Sequence, residues 1–208
     1  MSRNQDPSPS ALAIIREKLR HGCYPPGAAL TISDLAQEMR LSPTPVREAL
    51  AHLAGEGLVV ERRGLGYFAE LLDAQGLVEL YDLHHLLVAA ALVRPRRWTP
   101  DGPGPAMHGA AGTPGAADAT EALFDAIVSA AGDTTLRAAH RRVADRLAAV
   151  RRVEPWVIGD PVVELAQLAD HFARGDTDGL LVSTADYHAR RAAAAADLIA
   201  ALRSKVAV

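Results

Sequence analysis

The run Ser42-Pro43-Thr44-Pro45-Val46-Arg47-Glu48-Ala49-Leu50 holds the residues of this 208-residue chain best placed to grip an anion or a base edge. Ser42 reads as an N-cap and Pro43 as the first helical residue, where a missing N–H costs no intrahelical bond. Pro45 is still within the first turn and is tolerated for the same reason. Val46, Leu50 and Leu53 make the inner face of that helix, which leaves Thr44 and Arg47 near its open amino end. Backbone N–H groups and the helix dipole attract phosphate there, and short hydroxyl side chains allow close approach. An arginine so placed reaches a phosphate or a guanine edge. A second basic group, Arg62-Arg63-Gly64, follows downstream. A plainer reading stands beside each: Ser42 as a cap alone, Arg62 and Arg63 as solvated turn charges.

The elements that must position these groups can be read around them. Leu12, Ile15 and Leu19 share one face of a first helix ending near Gly22. Pro25-Pro26-Gly27 forms a rigid turn, and Thr31 then caps a short second helix with Leu35, Ala36 and Met39 facing inward. The Ser42 helix ends at Gly57. Leu58–Arg62 and Tyr67–Ala69 form a hairpin with a glycine-containing basic tip. Three helices followed by a basic hairpin is the order of a winged helix-turn-helix. The first seventy residues hold eight Lys/Arg against eight Asp/Glu, and the net charge of the chain is −3, so bulk basicity does not drive recognition. Residues 1–10, rich in Pro, Ser and Asn, read as a disordered arm.

Tyr24-Pro25-Pro26-Gly27, Leu35-Ala36, Leu41 to Leu50, Leu53, Glu56-Gly57-Leu58-Val59 and Gly64-Leu65-Gly66 resemble the DNA-binding domain of the GntR family over about residues 11–70. The resemblance implies a transcription regulator that binds double-stranded, pseudo-palindromic operator DNA as a homodimer. By it, Ser33, Ser42, Thr44, Pro45 and Arg47, with Arg62, Arg63 and Gly64 at the wing, fall where the family contacts DNA. The family often carries arginine or glutamate at the positions of Ser33 and Pro43. Neither residue here offers a long side chain, which throws weight onto Arg47 and the wing.

Residues 71–208 read as an all-helical effector-binding and dimerisation domain, giving a mostly α protein. Glu79 to Leu87 resembles the opening of the FadR-like (FCD) subgroup's effector domain, with His84 and Val88 in place of an arginine and a glutamate. Residues 99–117, with four Pro and five Gly, read as a flexible loop. Further helices are expected at about Thr120–Ala131, Thr135–Arg152, Pro161–Ala173 and Gly179–Leu202, with caps at Asp133 and Asp160. The subgroup's metal motif places an acid and a histidine four residues apart on one helical face. Here Glu121 and Asp125 stand in those positions, both expected to point into the bundle. Leu165 falls at the next ligand position and Tyr187 or His188 at the last. Two carboxylates without imidazoles suit a hard ion or cationic ligand better than zinc, and leucine ligates nothing, so the usual metal centre is read as degraded. Three readings follow: a divalent metal on Glu121, Asp125 and His188; a metal-free pocket for a small-molecule effector drawn from Glu121, Asp125, Arg141, Tyr187 and His188; or solvent-facing charges.

Composition narrows the function classes. The single Cys23 forms no internal disulfide and no cysteine cluster for zinc, which suits a reducing cytoplasm. Met1 to Pro9 is polar, unlike a secretion signal, and Leu86 to Val93 is too short to span a bilayer. A nucleophile elbow, a phosphate-cradling glycine loop and a His-Glu-x-x-His helix are all absent, which argues against an enzyme. What stays open is a repressor released by an effector, or an effector-independent DNA-binding or protein-interaction module.

Overall fold

A computed structural model describes residues 10–94, 115–159 and 161–205. It divides the chain into two compact units, Met1–Leu71 and Leu72–Val208. The first contains α1 (Ala11–Arg20), β1 (Ala29–Leu30), α2 (Ile32–Met39), α3 (Pro43–Gly55), β2 (Val59–Arg62) and β3 (Gly66–Ala69). The strands form an antiparallel sheet in the order β1-β3-β2. The two-residue β1, carried by Ala29 and Leu30, is too short to show an alternating pattern and was not expected. Ile15, Leu19, Leu35, Ala36, Val46, Leu50 and Leu53 lie in one apolar core, each contributing through the 3.6-residue period of its helix. Val59 and Ala69 close that core from the sheet. Arg40, the C-cap of α2, adopts φ 55° in the left-handed region, which turns the chain sharply from α2 into α3.

The second unit is helical throughout its described residues: α4 (Ala74–Leu92), α5 (Ala116–Ser129), α6 (Thr134–Arg151), α7 (Glu154–Val157), α8 (Pro161–Arg174), α9 (Thr177–Ala193) and α10 (Ala195–Lys205). Side-chain carboxylates of Asp73, Asp133 and Asp176 cap α4, α6 and α9 by accepting from backbone N–H groups three residues on. Three expectations need correction. α5 begins at Ala116 rather than near Thr120, so the last residues of the anticipated loop are helical. The single long helix expected to Leu202 is two, broken at Ala194, which leaves the α-helical region (φ −91°, ψ 8°). The one-turn α7 lay below the reach of a periodicity argument. The remainder of the anticipated loop, the arm before Ser10 and the cap at Asp160 lie outside the described residues. Among the described residues, no helix is long and apolar enough to cross a membrane.

Two apolar clusters fill this unit. One holds Leu77, Leu80, Tyr81, Val143, Leu147, Val150 and Leu198, and the other Val88, Leu123, Phe124, Ile127, Leu136, Leu168 and Tyr187. Followed along the helices, a polar residue marks each passage between clusters. His84 separates Tyr81 from Val88 on α4, His140 separates Leu136 from Val143 on α6, and His188 and Arg191 follow Tyr187 on α9. The bundle therefore contains a buried polar layer within an apolar interior.

Candidate nucleic-acid interface and a buried polar cluster

In the first unit, Ser42 occupies the N-cap position of α3 in an extended conformation, but its hydroxyl makes no capping hydrogen bond. Pro43 and Pro45 lack N–H groups, so Thr44 carries the free backbone donor of the first turn. Ser33, Ser42, Thr44 and Arg47 are all exposed, and Pro45 is half-buried. Val46, Ala49, Leu50 and Leu53 anchor the opposite face of α3 in the core, so packing turns Arg47 outward. The β2–β3 register pairs Arg62 with Gly66 and leaves Arg63-Gly64-Leu65 as the tip. Gly64 sits at φ 74° and Gly66 at φ 98°, both conformations that a side chain resists. Leu65 N–H donates to the Arg62 carbonyl at 2.9 Å to close the turn. Arg62, Arg63 and Gly64 are exposed, and the Arg62 guanidinium carbon lies 4.5 Å from the Phe68 ring centroid. The aromatic face thus limits where the Arg62 charge can swing.

In the second unit, the five residues expected around a pocket do not converge. Tyr187 and His188 are buried, as a pocket would require. Arg141 is exposed on α6. Asp125 has a side chain 43% exposed and pairs with Arg137 at 2.9 Å, so it points outward rather than into the bundle, and Glu121 is half-exposed on the preceding turn of α5. The cause is the phase of α5. Phe124, Ile127 and Val128 claim the inner face, which turns Asp125 to the rim. The metal that the FCD resemblance implies does not fit these donors: Leu165 offers none, Asp125 is engaged by Arg137, and both ring nitrogens of His188 are already in hydrogen bonds. Among the described residues, no group of three or more His, Cys, Asp or Glu side chains is placed to hold a metal ion.

What the helices bring together is a different set. His84, fully buried, is its hub. Arg151 Nη2 approaches His84 Nε2 at 3.0 Å, and His140 Nε2 approaches the same atom at 3.1 Å. His84 Nδ1 lies 2.7 Å from His188 Nε2, and His188 Nδ1 lies 2.5 Å from the Thr184 carbonyl. The tautomers follow by elimination. A guanidinium can only donate, so His84 Nε2 is the acceptor and a neutral His84 carries its proton on Nδ1. It therefore donates to His188 Nε2, and His188 donates from Nδ1 to the carbonyl. Burial, reinforced by the Arg151 charge, holds the His84 pKa well below its ordinary value. Burial likewise brings His140 down to about 4 and His188 to about 3. The cluster is an uncharged imidazole relay ending on a cation.

Two buried arginines flank it. Arg191, from α9, donates from Nε and Nη2 to Glu154 Oε2 at 3.0 and 2.9 Å, and Glu164 Oε2 lies 2.8 Å from its Nη2. Burial works against its charge, but Tyr187, Glu154 and Glu164 outweigh that cost and hold its pKa above the ordinary value. Tyr81 donates to the other Glu154 oxygen at 2.8 Å. Sequence reasoning missed this network. The available signal was a polar residue on an apolar stripe, as in Leu77, Leu80, His84, Val88.

Residues 8–68 match the family model described as bacterial regulatory proteins, gntR family. The Nta operon transcriptional regulator of Aminobacter aminovorans is 36% identical over 69 residues, and an uncharacterized HTH-type transcriptional regulator of Streptomyces ambofaciens is 46% identical over 67. These alignments cover 33% and 29% of this chain and about a third of each relative, 33% and 28%. The fold extends further than the sequence likeness. A Rhodococcus sp. RHA1 protein assigned as a GntR transcriptional regulator superposes with a TM-score of 0.71 at 19% identity, covering 91% of this chain and 95% of that one. E. coli McbR/YncC gives 0.64 at 19% identity, covering 94% and 96%. The relatives are transcription regulators rather than enzymes.

Proposed function

We propose that this chain is a gntR-family DNA-binding regulator, a reading supported by the match over residues 8–68, and that it acts as a cytoplasmic, homodimeric repressor of the FCD type that leaves its operator when a small molecule enters the helical unit. The observation that carries the reading is the amino end of α3: Ser42, Thr44 and Arg47 stand exposed while the rest of the helix is anchored in the core. In this reading Arg47 takes the main base contact. Ser33, Ser42 and Thr44 with the Pro45 turn set the approach to the backbone, and Arg62, Arg63 and Gly64 follow the neighbouring groove. A unit without excess positive charge gains little from long-range attraction, so affinity depends on two copies engaging two half-sites.

The test is fluorescence anisotropy with duplex DNA from the promoter beside its own gene, against a scrambled duplex of the same composition. Arg47→Ala should weaken binding to the promoter by roughly 10- to 100-fold, the worth of one bidentate base contact, without changing the sedimentation coefficient of the protein. Equal affinity for promoter and scrambled DNA, or an Arg47→Ala variant that binds as well as the parent, overturns the reading.

A further inference from the structure

Among the described residues, no large apolar side chain is more exposed than Leu65, at 72%. It lies outside the apolar core of the first unit. A lone exposed leucine needs no explanation in itself, but this one is held in place by its backbone. Its N–H closes the turn on the Arg62 carbonyl, and the glycines on either side sit at φ 74° and 98°. A Cβ built on Gly64 or Gly66 would meet no atom within 4 Å. Both positions therefore call for glycine because of their backbone conformation and not for lack of space, and the tip carries one apolar side chain between two bare residues. β1 pairs with β3 at Ala29–Phe68 and Leu30–Tyr67, so a third strand braces the hairpin behind the tip. Arg62 and Arg63 stand exposed on the approach to it. A stiff turn thus projects apolar surface from a group of cations, which suits a partner that is anionic at its rims and apolar or uncharged between them.

From the exposed leucine held between two glycines beside Arg62 and Arg63, we infer that Leu65 is a specificity-determining residue that rejects G·C pairs in the minor groove next to the α3 half-site. The inference rests on the regulator reading, within which it names the class of base pair that the hairpin tip accepts. With α3 in the major groove, the groove next along the duplex is the minor one, about 6 Å wide. Two strands about 4.8 Å apart, with their side chains, are too broad to enter it, whereas a single side chain flanked by glycines is not. Arg62 and Arg63 then fall toward the phosphates at the rims, and a narrow groove, as in A·T runs, concentrates the negative potential that attracts them. An A·T pair shows only acceptors on the floor of this groove, while a G·C pair adds the guanine 2-amino donor. Leucine offers that donor no acceptor, and covering it removes its water, so the pair is left with an unmet hydrogen bond. Leu65 therefore discriminates by what it withholds, which sets it apart from Arg47 as a reader.

The test is fluorescence anisotropy with the full chain and the same promoter duplex, in which every adenine is replaced by 2,6-diaminopurine. That base adds a minor-groove amino group to each A·T pair and leaves the major-groove edge read by α3 unchanged. The replacement should weaken binding of the parent about 10-fold or more, the effect of one donor left unmet, and that of Leu65→Ser by less than about 2-fold. Serine at the tip carries an oxygen that can accept from the amino group. Because Leu65 packs on no core residue, Leu65→Ser should melt within about a degree of the parent. A second duplex carries deoxyuridine for thymidine, which strips the major-groove methyl groups, and it should affect the parent and Leu65→Ser equally. The inference fails if diaminopurine leaves the parent unaffected, if it costs Leu65→Ser as much as the parent, or if deoxyuridine weakens the parent and spares Leu65→Ser, which would put the leucine against thymine methyls. A protein that prefers its promoter to scrambled DNA but ignores diaminopurine refutes this role alone. One with no preference for its promoter refutes the regulator reading and this inference with it.

Discussion

Lowering the pH from 8 to 5 should cost the helical unit at least roughly 4 kcal/mol of stability, about 2 from each of two histidines. The figure follows from His140 and His188, whose pKa values fall from 6.5 to about 4 and about 3 in the folded bundle because burial disfavours their charged forms. Above pH 6.5 both are neutral in the folded and unfolded chain and contribute nothing. Below it the unfolded chain takes up protons that the folded one refuses, so stability falls by about 1.4 kcal/mol per pH unit for each histidine until the folded pKa is reached. His84 is displaced in the same direction and adds to the loss. Carboxylates stay largely ionised in both states above pH 5, which isolates the histidines in this window. The assay is urea unfolding at fixed protein concentration, followed by tryptophan fluorescence. Trp98 and Trp156 both lie beyond Leu71, so the signal reports this unit alone. Replacing His188 by Gln should remove about 2 kcal/mol of the loss between pH 8 and pH 5, whatever it does to the stability at pH 8. A stability that is the same at pH 8 and pH 5, or a slope undiminished in both His140→Gln and His188→Gln, would refute a neutral buried cluster.

Glu154→Ala should cost about 3–5 kcal/mol in the same unfolding assay, because it strips one of two carboxylates from the buried Arg191 and the acceptor from Tyr81; a loss under about 1 kcal/mol would show that Glu164 alone suffices. Gly179→Ala should lower stability by about 1–2 kcal/mol, since a Cβ there would meet the His171 ring and the Asp176 carboxylate that caps α9. An unchanged melting temperature would show that this pair moves aside freely.

Much of the first unit could be read from the chain alone, because its signals are local. The Ser42-Pro43 start of α3, the inward period of Val46, Leu50 and Leu53, and the Gly64 tip of the hairpin each concern a few neighbouring residues, and sterics settles them without knowledge of the rest of the fold. The helical character of the second unit was equally legible, down to the cap at Asp133. In the bundle the sequence reading chose Glu121, Asp125, Arg141, Tyr187 and His188; the phase of their helices sets Asp125 and Arg141 at or near the surface, while Tyr187 and His188 are buried. The polar layer that does form joins His84 to His188, to Arg151 and to His140 across 104, 67 and 56 residues of chain. No periodicity spans such separations. Which imidazole meets which guanidinium is decided by how α4, α6 and α9 pack, and only that packing leaves one arginine doubly matched by carboxylates and the other, among the described residues, with none.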